Sequence, residues 1–254
     1  MNLNYKVLGN TGTNVLILHG LLGSLDNWHS IAKILAQTHT VYCIDQRNHG
    51  RSPHSTEMSY EILAQDIVEF CQIHNLTKVS IIGHSMGGKV AMLIALLHPQ
   101  LIDKLIVIDI APAWYDGGHE SILFAMAEAP LAIMQKREEV ELFLQPRIHD
   151  AGVRQFIMKN LTRNDNGQFE WKCNFEALIT HYRKLMDFPT LDIKYNGKTY
   201  FIKGEHSNYL NQDNWGTCDL YFPNNVMYEI PNAGHWVHAD NQPILLDKLK
   251  TILS

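Results

Sequence analysis

Gly83-His84-Ser85-Met86-Gly87-Gly88 lies between an apolar run at 79–82 and a stretch with apolar residues at helical spacing from 86 to 97. A serine flanked by glycines at a strand-to-helix turn is typical of a nucleophile elbow, because the tight turn excludes larger side chains and projects the hydroxyl. The start of the helix adds free N–H groups and a positive dipole beside any developing negative charge. The alternative is an ordinary glycine-rich turn with a helix-capping serine. With strand, motif and helix all in place, we interpret Ser85 as a nucleophile.

Short β-branched runs alternate with helical stretches along most of the chain, which is typical of parallel strands joined by crossover helices. Continuous apolar runs, as in strands covered on both faces, predict strands at 14–19, 40–44, 78–83, 104–108, 198–203 and 225–230, with an edge strand at 4–8. Apolar residues at helical spacing predict helices at 26–36, 59–74, 86–97 and 242–253. The sequence therefore predicts an α/β fold with a mostly parallel sheet of about seven to eight strands.

Residues 113–187 break this alternation. They contain several helical patterns and no convincing strand, and they are punctuated by prolines and by the turn Asn164-Asp165-Asn166-Gly167. We interpret them as a helical lid inserted into a core formed by residues 1–112 and 188–254. A chain of 254 residues favours one core with an insertion over two independent domains.

Composition and charge limit the classes of molecule that this protein is expected to bind. The net charge is -5 and the basic residues are scattered, so no cationic stripe is available for nucleic acid, and a small-molecule substrate is expected. No apolar run is long enough to cross a bilayer, which predicts a cytoplasmic protein. The cysteines form no C-x-x-C pair, and no ligands at metal spacing surround His235 and His238. We therefore expect neither a metal nor an organic cofactor.

A histidine near the C-terminus is the candidate base. His235 lies in Pro231-Asn232-Ala233-Gly234-His235-Trp236, directly after the last predicted strand, where a turn leaves it free to face the nucleophile. The alternative is a surface histidine, and we interpret His84 and His238 as packing residues. Upstream, His19-Gly20-Leu21-Leu22-Gly23 ends another strand, so the amides of Leu21 and Met86 are expected to form an oxyanion hole.

The third member of the site is less clearly marked. The loop after the strand at 198–203 reads Gly204-Glu205-His206-Ser207, with serine where an aspartate is usual. We prefer Asp109, at the end of the strand at 104–108, over Glu205 and Asp213, because a carboxylate at a rigid strand end can orient the histidine. Asp109 as a cap or loop brace is the alternative. Ser207 is expected to hydrogen-bond to His235 or Asp109 in support.

The loop Asp45-Gln46-Arg47-Asn48-His49-Gly50-Arg51-Ser52 follows a strand. Asn48 and Gly50 suit positive φ, so we favour a structural turn for this loop. Contact of Arg47 or His49 with the substrate is the second interpretation.

These residues together resemble the α/β-hydrolase superfamily, and within it the bacterial acyl-CoA and carboxyl-ester esterases related to mitochondrial abhydrolases. The resemblance spans nearly the whole chain and depends on residues 19–28, 45–52 and 83–88 and on the loops of Ser207 and His235. It implies an acid after the sixth strand, in agreement with Asp109, and a supporting serine, in agreement with Ser207. It also implies short esters and acyl thioesters as substrates beneath a helical cap. The sequence departs from the family in its short N-terminal strand region, which predicts that a first edge strand is reduced or absent. Trp28, Arg47, His49 and Trp236 are the expected substrate contacts.

The expected function is a serine hydrolase that cleaves small carboxylic esters or acyl thioesters through an acyl-enzyme on Ser85. The same three residues also serve C–C hydrolases and lyases that act on carbon acids, so that chemistry stays open. A ligand receptor that keeps the fold without catalysis is the alternative from a different class. The sequence indicates neither the physiological substrate nor the oligomeric state.

Overall fold

A seven-stranded sheet forms the centre of the protein. The computed structural model describes all residues, 1–254. The sheet contains β1 (Tyr5–Leu8), β2 (Asn14–Leu18), β3 (Thr40–Ile44), β4 (Val79–His84), β5 (Ile102–Ile108), β8 (Thr199–Gly204) and β9 (Asn225–Ile230). Their spatial order is β1-β3-β2-β4-β5-β8-β9, and only β1 is antiparallel to its neighbour. The predicted α/β fold is confirmed, and the edge strand predicted at 4–8 is β1.

Helices cover both faces of this sheet because the central strands are apolar on both sides. The helices outside the insertion are α1 (His29–Leu35), α2 (Tyr60–Ile73), α3 (Met86–Leu97), α8 (Gln212–Tyr221), α9 (Val237–Asp240) and α10 (Gln242–Leu253). Side chains of α1 and α10, such as Ile31 and Leu249, pack on one face. Those of α2 and α3, such as Leu63 and Met92, pack on the other. The buried strand β4 and the buried helix α3 are therefore held firmly on either side of Ser85.

The segment from 113 to 187, here called the cap, lies between β5 and β8 in the chain. It contains α4 (Glu120–Ala127), α5 (Arg137–Leu144), α6 (Ala151–Met158), β6 (Leu161–Arg163), β7 (Phe169–Trp171) and α7 (Phe175–Met186). The expectation of no strand here was wrong: β6 and β7 form an antiparallel hairpin around the predicted 164–167 turn. The three-residue strands are too short to show a period in the sequence. The cap also follows the fifth strand of the chain rather than the sixth, because no strand precedes β1.

Lys89 ties both ends of the cap to the core. Its Nζ atom donates to the carbonyl oxygens of Ala113 at 2.8 Å, Met186 at 2.9 Å and Asp187 at 2.8 Å. The side chain is almost fully buried and lies four residues after Ser85 on α3. The points where the chain leaves and re-enters the core are therefore fixed to the helix that carries the elbow. No helix in the protein combines the length and the apolar character that crossing a membrane requires.

Candidate active site

The turn between β4 and α3 holds Ser85 in a strained backbone conformation. Its φ of 52° and ψ of -119° are unusual for a residue with a side chain. The turn closes because two neighbours are glycines: a Cβ atom on Gly83 would lie 2.3 Å from the carbonyl oxygen of Gly87, and one on Gly87 would lie 2.4 Å from that of Leu18. The Ser85 amide also donates to the Ile108 carbonyl at 3.0 Å. Packing from β2 and β5 thus maintains the strain that lifts the Ser85 hydroxyl out of the turn.

His235 meets this hydroxyl from the loop after β9. Its Nε2 atom lies 3.0 Å from Ser85 Oγ, and its Nδ1 atom lies 2.7 Å from Oδ2 of Asp109. The three side chains come from the carboxyl ends of β4, β5 and β9, which meet at one edge because these strands are parallel. With Nδ1–H donating to the carboxylate, Nε2 is free to accept the proton of Ser85. The arrangement has the geometry of a nucleophile, a base and an orienting acid.

Asp109 is fixed on all sides. The residue is fully buried, has a positive φ of 55°, and donates its amide to the Ile202 carbonyl of β8 at 2.8 Å. Its Oδ1 atom accepts the Gly204 amide at 3.0 Å, and its Oδ2 atom accepts both His235 Nδ1 and the Ser207 hydroxyl. These donors hold the carboxylate in one orientation toward His235.

The structure separates the competing acids from the histidine. Glu205 is exposed and accepts the Asn232 amide at 2.8 Å, and Asp213 is exposed in the first turn of α8. The Ser207 hydroxyl donates to the Asp109 carboxylate and not to His235. Of the two hydrogen-bond partners expected for Ser207, the structure therefore shows Asp109.

Two neighbours orient the His235 ring and main chain. The Tyr209 ring stacks on the His235 ring with centroids 3.8 Å apart. His84 donates from Nε2 to the His235 carbonyl at 2.8 Å, while burial, with smaller effects of His235 and His238, lowers the pKa of His84 well below its usual value. His84 thus acts as a packing and bracing residue, as expected. Tyr209 is a neighbour that sequence reasoning missed, since a tyrosine in a loop carries no pattern.

Two amides lie where an oxyanion hole is expected. Met86 is the first residue of α3, so its N–H has no partner within the helix. The Leu21 amide donates no hydrogen bond within the chain. Both residues are buried and line the space in front of Ser85. Two unpaired donors beside a nucleophile are what a developing oxyanion requires.

Two narrow cavities meet at Ser85. Each contains about 20 Å³ of free space, which is on the order of the room that one ordered water needs. The first is lined by Trp28, Trp236 and His238 and by the cap residues Val153, Phe156 and Ile157. The second is lined by Tyr60, Lys89, Ile110, Tyr115 and Tyr209. His119, at the base of α4, borders both and was not anticipated from the sequence, where it is one isolated histidine among fourteen.

The four expected substrate contacts divide into two pairs. Trp236 is half-buried at the first cavity and packs against the tilted ring of Phe156. Trp28 borders the same cavity but is only 1% exposed. Arg47 instead pairs with Asp66 through Nε at 2.7 Å and Nη2 at 3.0 Å. His49 accepts the Leu22 amide and so lies behind residues 19–23, here called the oxyanion loop. The hypothesis of substrate contact therefore fails for Arg47 and His49, because their polar atoms are used within the core.

Besides His84 and His119, three buried histidines resist protonation. Burial lowers the pKa of His19 to about 4 and of His238 to about 4, and burial together with the neighbouring His19 lowers that of His49 to about 3. Their usual value is 6.5. All three are therefore neutral in the folded protein at neutral pH.

We expect these histidines to make the protein sensitive to acid. Their folded pKa values lie below the unfolded ones, so the unfolded state binds more protons between about pH 4 and 6.5, and the stabilisation present above pH 6.5 is lost as pH falls. At pH 5 each loses on the order of 2 kcal/mol, a large share of a typical total of about 5 to 15 kcal/mol. Urea unfolding at pH 7.5 and pH 5 should show this loss.

One variant isolates a single histidine. The His238 ring stacks on the Trp28 ring with centroids 4.6 Å apart, and its Nδ1 atom has no hydrogen-bond partner. His238→Phe therefore keeps the stacking without breaking a hydrogen bond. This variant should take up about one proton fewer on unfolding near pH 5. Identical free energies of unfolding at both pH values, for the unsubstituted protein, would refute the prediction.

Comparison with known proteins agrees with the fold and site. Residues 13–146 match the family described as alpha/beta hydrolase fold. Over the whole chain the protein is 37% identical to the sn-1-specific diacylglycerol lipase ABHD11 of Danio rerio, and the match covers 83% of that protein. The chain belongs to the α/β-hydrolase family. The resemblance drawn from the sequence motifs is thereby confirmed.

Two further relatives of this α/β hydrolase match over their full lengths. Esterase YbfF of Escherichia coli K12 is 31% identical, with 100% of this chain and 99% of that protein aligned. A solved structure described as a marine microorganism esterase has a TM-score of 0.96 and 40% identity, and the match covers 98% of each chain. The three relatives named here are a lipase and two esterases, which supports a hydrolase that cleaves esters.

Proposed function

We propose that this α/β hydrolase is a serine esterase that cleaves carboxylic esters, including acyl thioesters, through an acyl-enzyme on Ser85. One observation carries the proposal: His235 lies within hydrogen-bond distance of both Ser85 Oγ and the Asp109 carboxylate. Its full-length relatives named esterase or lipase support ester substrates. The catalytic roles of these three residues are part of the proposal.

The reaction follows from the geometry. His235 Nε2 takes the proton of Ser85, and the oxygen attacks the carbonyl carbon of the ester. The amides of Leu21 and Met86 donate to the oxyanion, and Asp109 stabilises the protonated imidazole. His235 then protonates the departing alcohol or thiol. Water, deprotonated by the same histidine, releases the acid and restores Ser85.

The cap belongs to this proposal as the cover of the site. Its helices α4 and α6 contribute Ile122, Val153 and Phe156 to the first cavity. Because both cavities are narrow and cap residues line them, we expect the cap to move when a substrate enters. A seated cap excludes water and strengthens the electrostatic interactions inside the site.

The expected cytoplasmic location of the protein stays a prediction.

A substrate panel tests the proposal. Purified protein should hydrolyse p-nitrophenyl esters and acyl-CoAs of increasing chain length, and Ser85→Ala should not. Activity on esters alone would restrict the proposal to oxygen esters. A fluorophosphonate probe should label Ser85 in the unsubstituted protein, which a receptor without a competent triad would not allow. Labelling without ester or thioester turnover would favour the carbon-acid chemistry instead.

A further inference from the structure

Leu22 holds the oxyanion loop in an unusual conformation. Its φ is 58° and the residue is 2% exposed. A leucine in the left-handed region is strained, so surrounding contacts must maintain it. Leu22 directly follows Leu21, whose amide is one of the two proposed oxyanion donors. Any rotation at Leu22 therefore changes where the Leu21 amide points.

The core holds the amide side of Leu22. Its N–H donates to Nε2 of His49 at 3.2 Å, and His49 in turn donates from Nδ1 to the Arg47 carbonyl at 2.9 Å. This contact requires an unprotonated Nε2, which the low pKa of the buried His49 provides. His49 belongs to the loop after β3, so this contact lies within the core.

The cap holds the carbonyl side of Leu22. Asn160, which follows α6, donates from Nδ2 to the Leu22 carbonyl at 2.6 Å. Since a carbonyl only accepts, the amide nitrogen of Asn160 must face it. Asn160 is 4% exposed, and its own main chain is held by Ile157 and Lys172. No other side chain donates to the Leu22 carbonyl.

The same part of the cap also contacts the histidine loop. Phe156 of α6 packs against Trp236, the neighbour of His235, with ring centroids 5.6 Å apart and planes tilted by 35°. The segment 151–160 therefore touches both halves of the site.

We propose that Asn160 is a positioning residue that couples the seating of the cap to the geometry of the oxyanion hole, an inference that rests on the proposed function. When the cap lifts, the Asn160 bond is lost, while the His49 bond and the turn hydrogen bond from the Gly23 amide to the Gly20 carbonyl remain. The Leu22 carbonyl then has no side-chain donor, and the loop is held less firmly on that side. When the cap closes over a substrate, Asn160 restores the loop and aims the Leu21 amide at the carbonyl oxygen. Catalysis is thereby confined to the enclosed substrate.

Substitution of Asn160 tests this coupling. Asn160→Ala should lower kcat by about 10- to 100-fold, less than the loss of an oxyanion donor itself, with KM little changed. A trifluoromethyl ketone that forms a hemiketal on Ser85 should bind more weakly by the same factor, because its oxyanion occupies the same hole. Asn160→Asp, which keeps the shape and removes the donor, should give the same pattern.

Asn174→Ala is the matched control. Asn174 also joins cap and core, through Nδ2 to Asn48 Oδ1 and to the Ser55 carbonyl, each at 3.1 Å, but does not touch Leu22. Asn174→Ala should lower the free energy of unfolding without weakening the binding of the trifluoromethyl ketone. If the Asn160 variants behave like this control, or raise only KM, the coupling is refuted. Ester turnover by the unsubstituted protein tests the proposed function separately. If no ester is turned over, the rate of fluorophosphonate labelling of Ser85 can still be compared between the Asn160 variants and the unsubstituted protein.

Discussion

Ser85→Ala should lower kcat on a short ester by a factor on the order of 10⁶, the loss found when a triad serine is removed. The variant keeps the oxyanion donors and the cavities but has no atom to form the acyl-enzyme. Alanine has the same Cβ as serine, and the turn is maintained by packing from β2 and β5, so the free energy of unfolding should change little. Initial rates with active-site titration of the unsubstituted protein measure the ratio.

The double variant Ser85→Ala/His235→Ala sharpens this test. His235 acts by moving the proton of Ser85 across a 3.0 Å hydrogen bond, so it has little left to do once the hydroxyl is gone. The double variant should therefore be no slower than Ser85→Ala alone, in keeping with the non-additivity of residues that act as a unit. Independent, multiplying losses would show that His235 does not serve Ser85.

Asp109→Asn should lower kcat by about 10⁴-fold with KM little changed, by analogy with the same substitution in a serine protease triad. The asparagine amide donates where the carboxylate accepts, so it favours the His235 tautomer with the proton on Nε2. That tautomer cannot take the proton of Ser85. Steady-state kinetics on one ester, with thermal unfolding to confirm the fold, measures the effect.

Two nearby variants separate Asp109 from its rivals. Ser207→Ala removes one of the hydrogen bonds on Asp109 and leaves His235 Nδ1 in place, so we expect a loss of about tenfold or less. Glu205→Gln should leave kcat unchanged, because Glu205 contacts the Asn232 amide and not the histidine. A larger loss for Glu205→Gln than for Asp109→Asn would contradict the proposed acid.

Local patterns predicted most of the sheet and its main helices. The strands predicted at 40–44 and 225–230 and the helices predicted at 86–97 and 242–253 have the bounds seen in the structure, and the other predicted strands differ by one or two residues at their ends. Most of these elements are buried on both faces or on one clear stripe, so their hydrophobic period is complete, whereas the edge strands β1 and β9 are largely exposed. Helix α8 was missed because Gln212–Tyr221 has no apolar stripe and begins from an asparagine cap at Asn211.

Residues that act through a distant partner were the ones that sequence patterns missed or placed wrongly. Arg47 looks like a ligand for an anion until Asp66, nineteen positions away, is seen to pair with it. Tyr209 and Asn160 are ordinary polar residues in their own surroundings. Their roles depend on a ring of His235 and a carbonyl of Leu22 that the chain brings to them from elsewhere.

The sequence by itself determined the strand, the glycine-flanked Ser85 and the helix that follows it, because the steric limits of that turn involve residues only a few positions apart. It also placed His235 at a strand end, but left three carboxylates as candidates for its partner. Only the tertiary structure decided among them. The parallel neighbours β5, β8 and β9 bring Asp109 to 2.7 Å from His235 and leave Glu205 and Asp213 in solvent, and this distance depends on the pairing of β5 with β8, whose partner residues lie 94 positions apart in the chain.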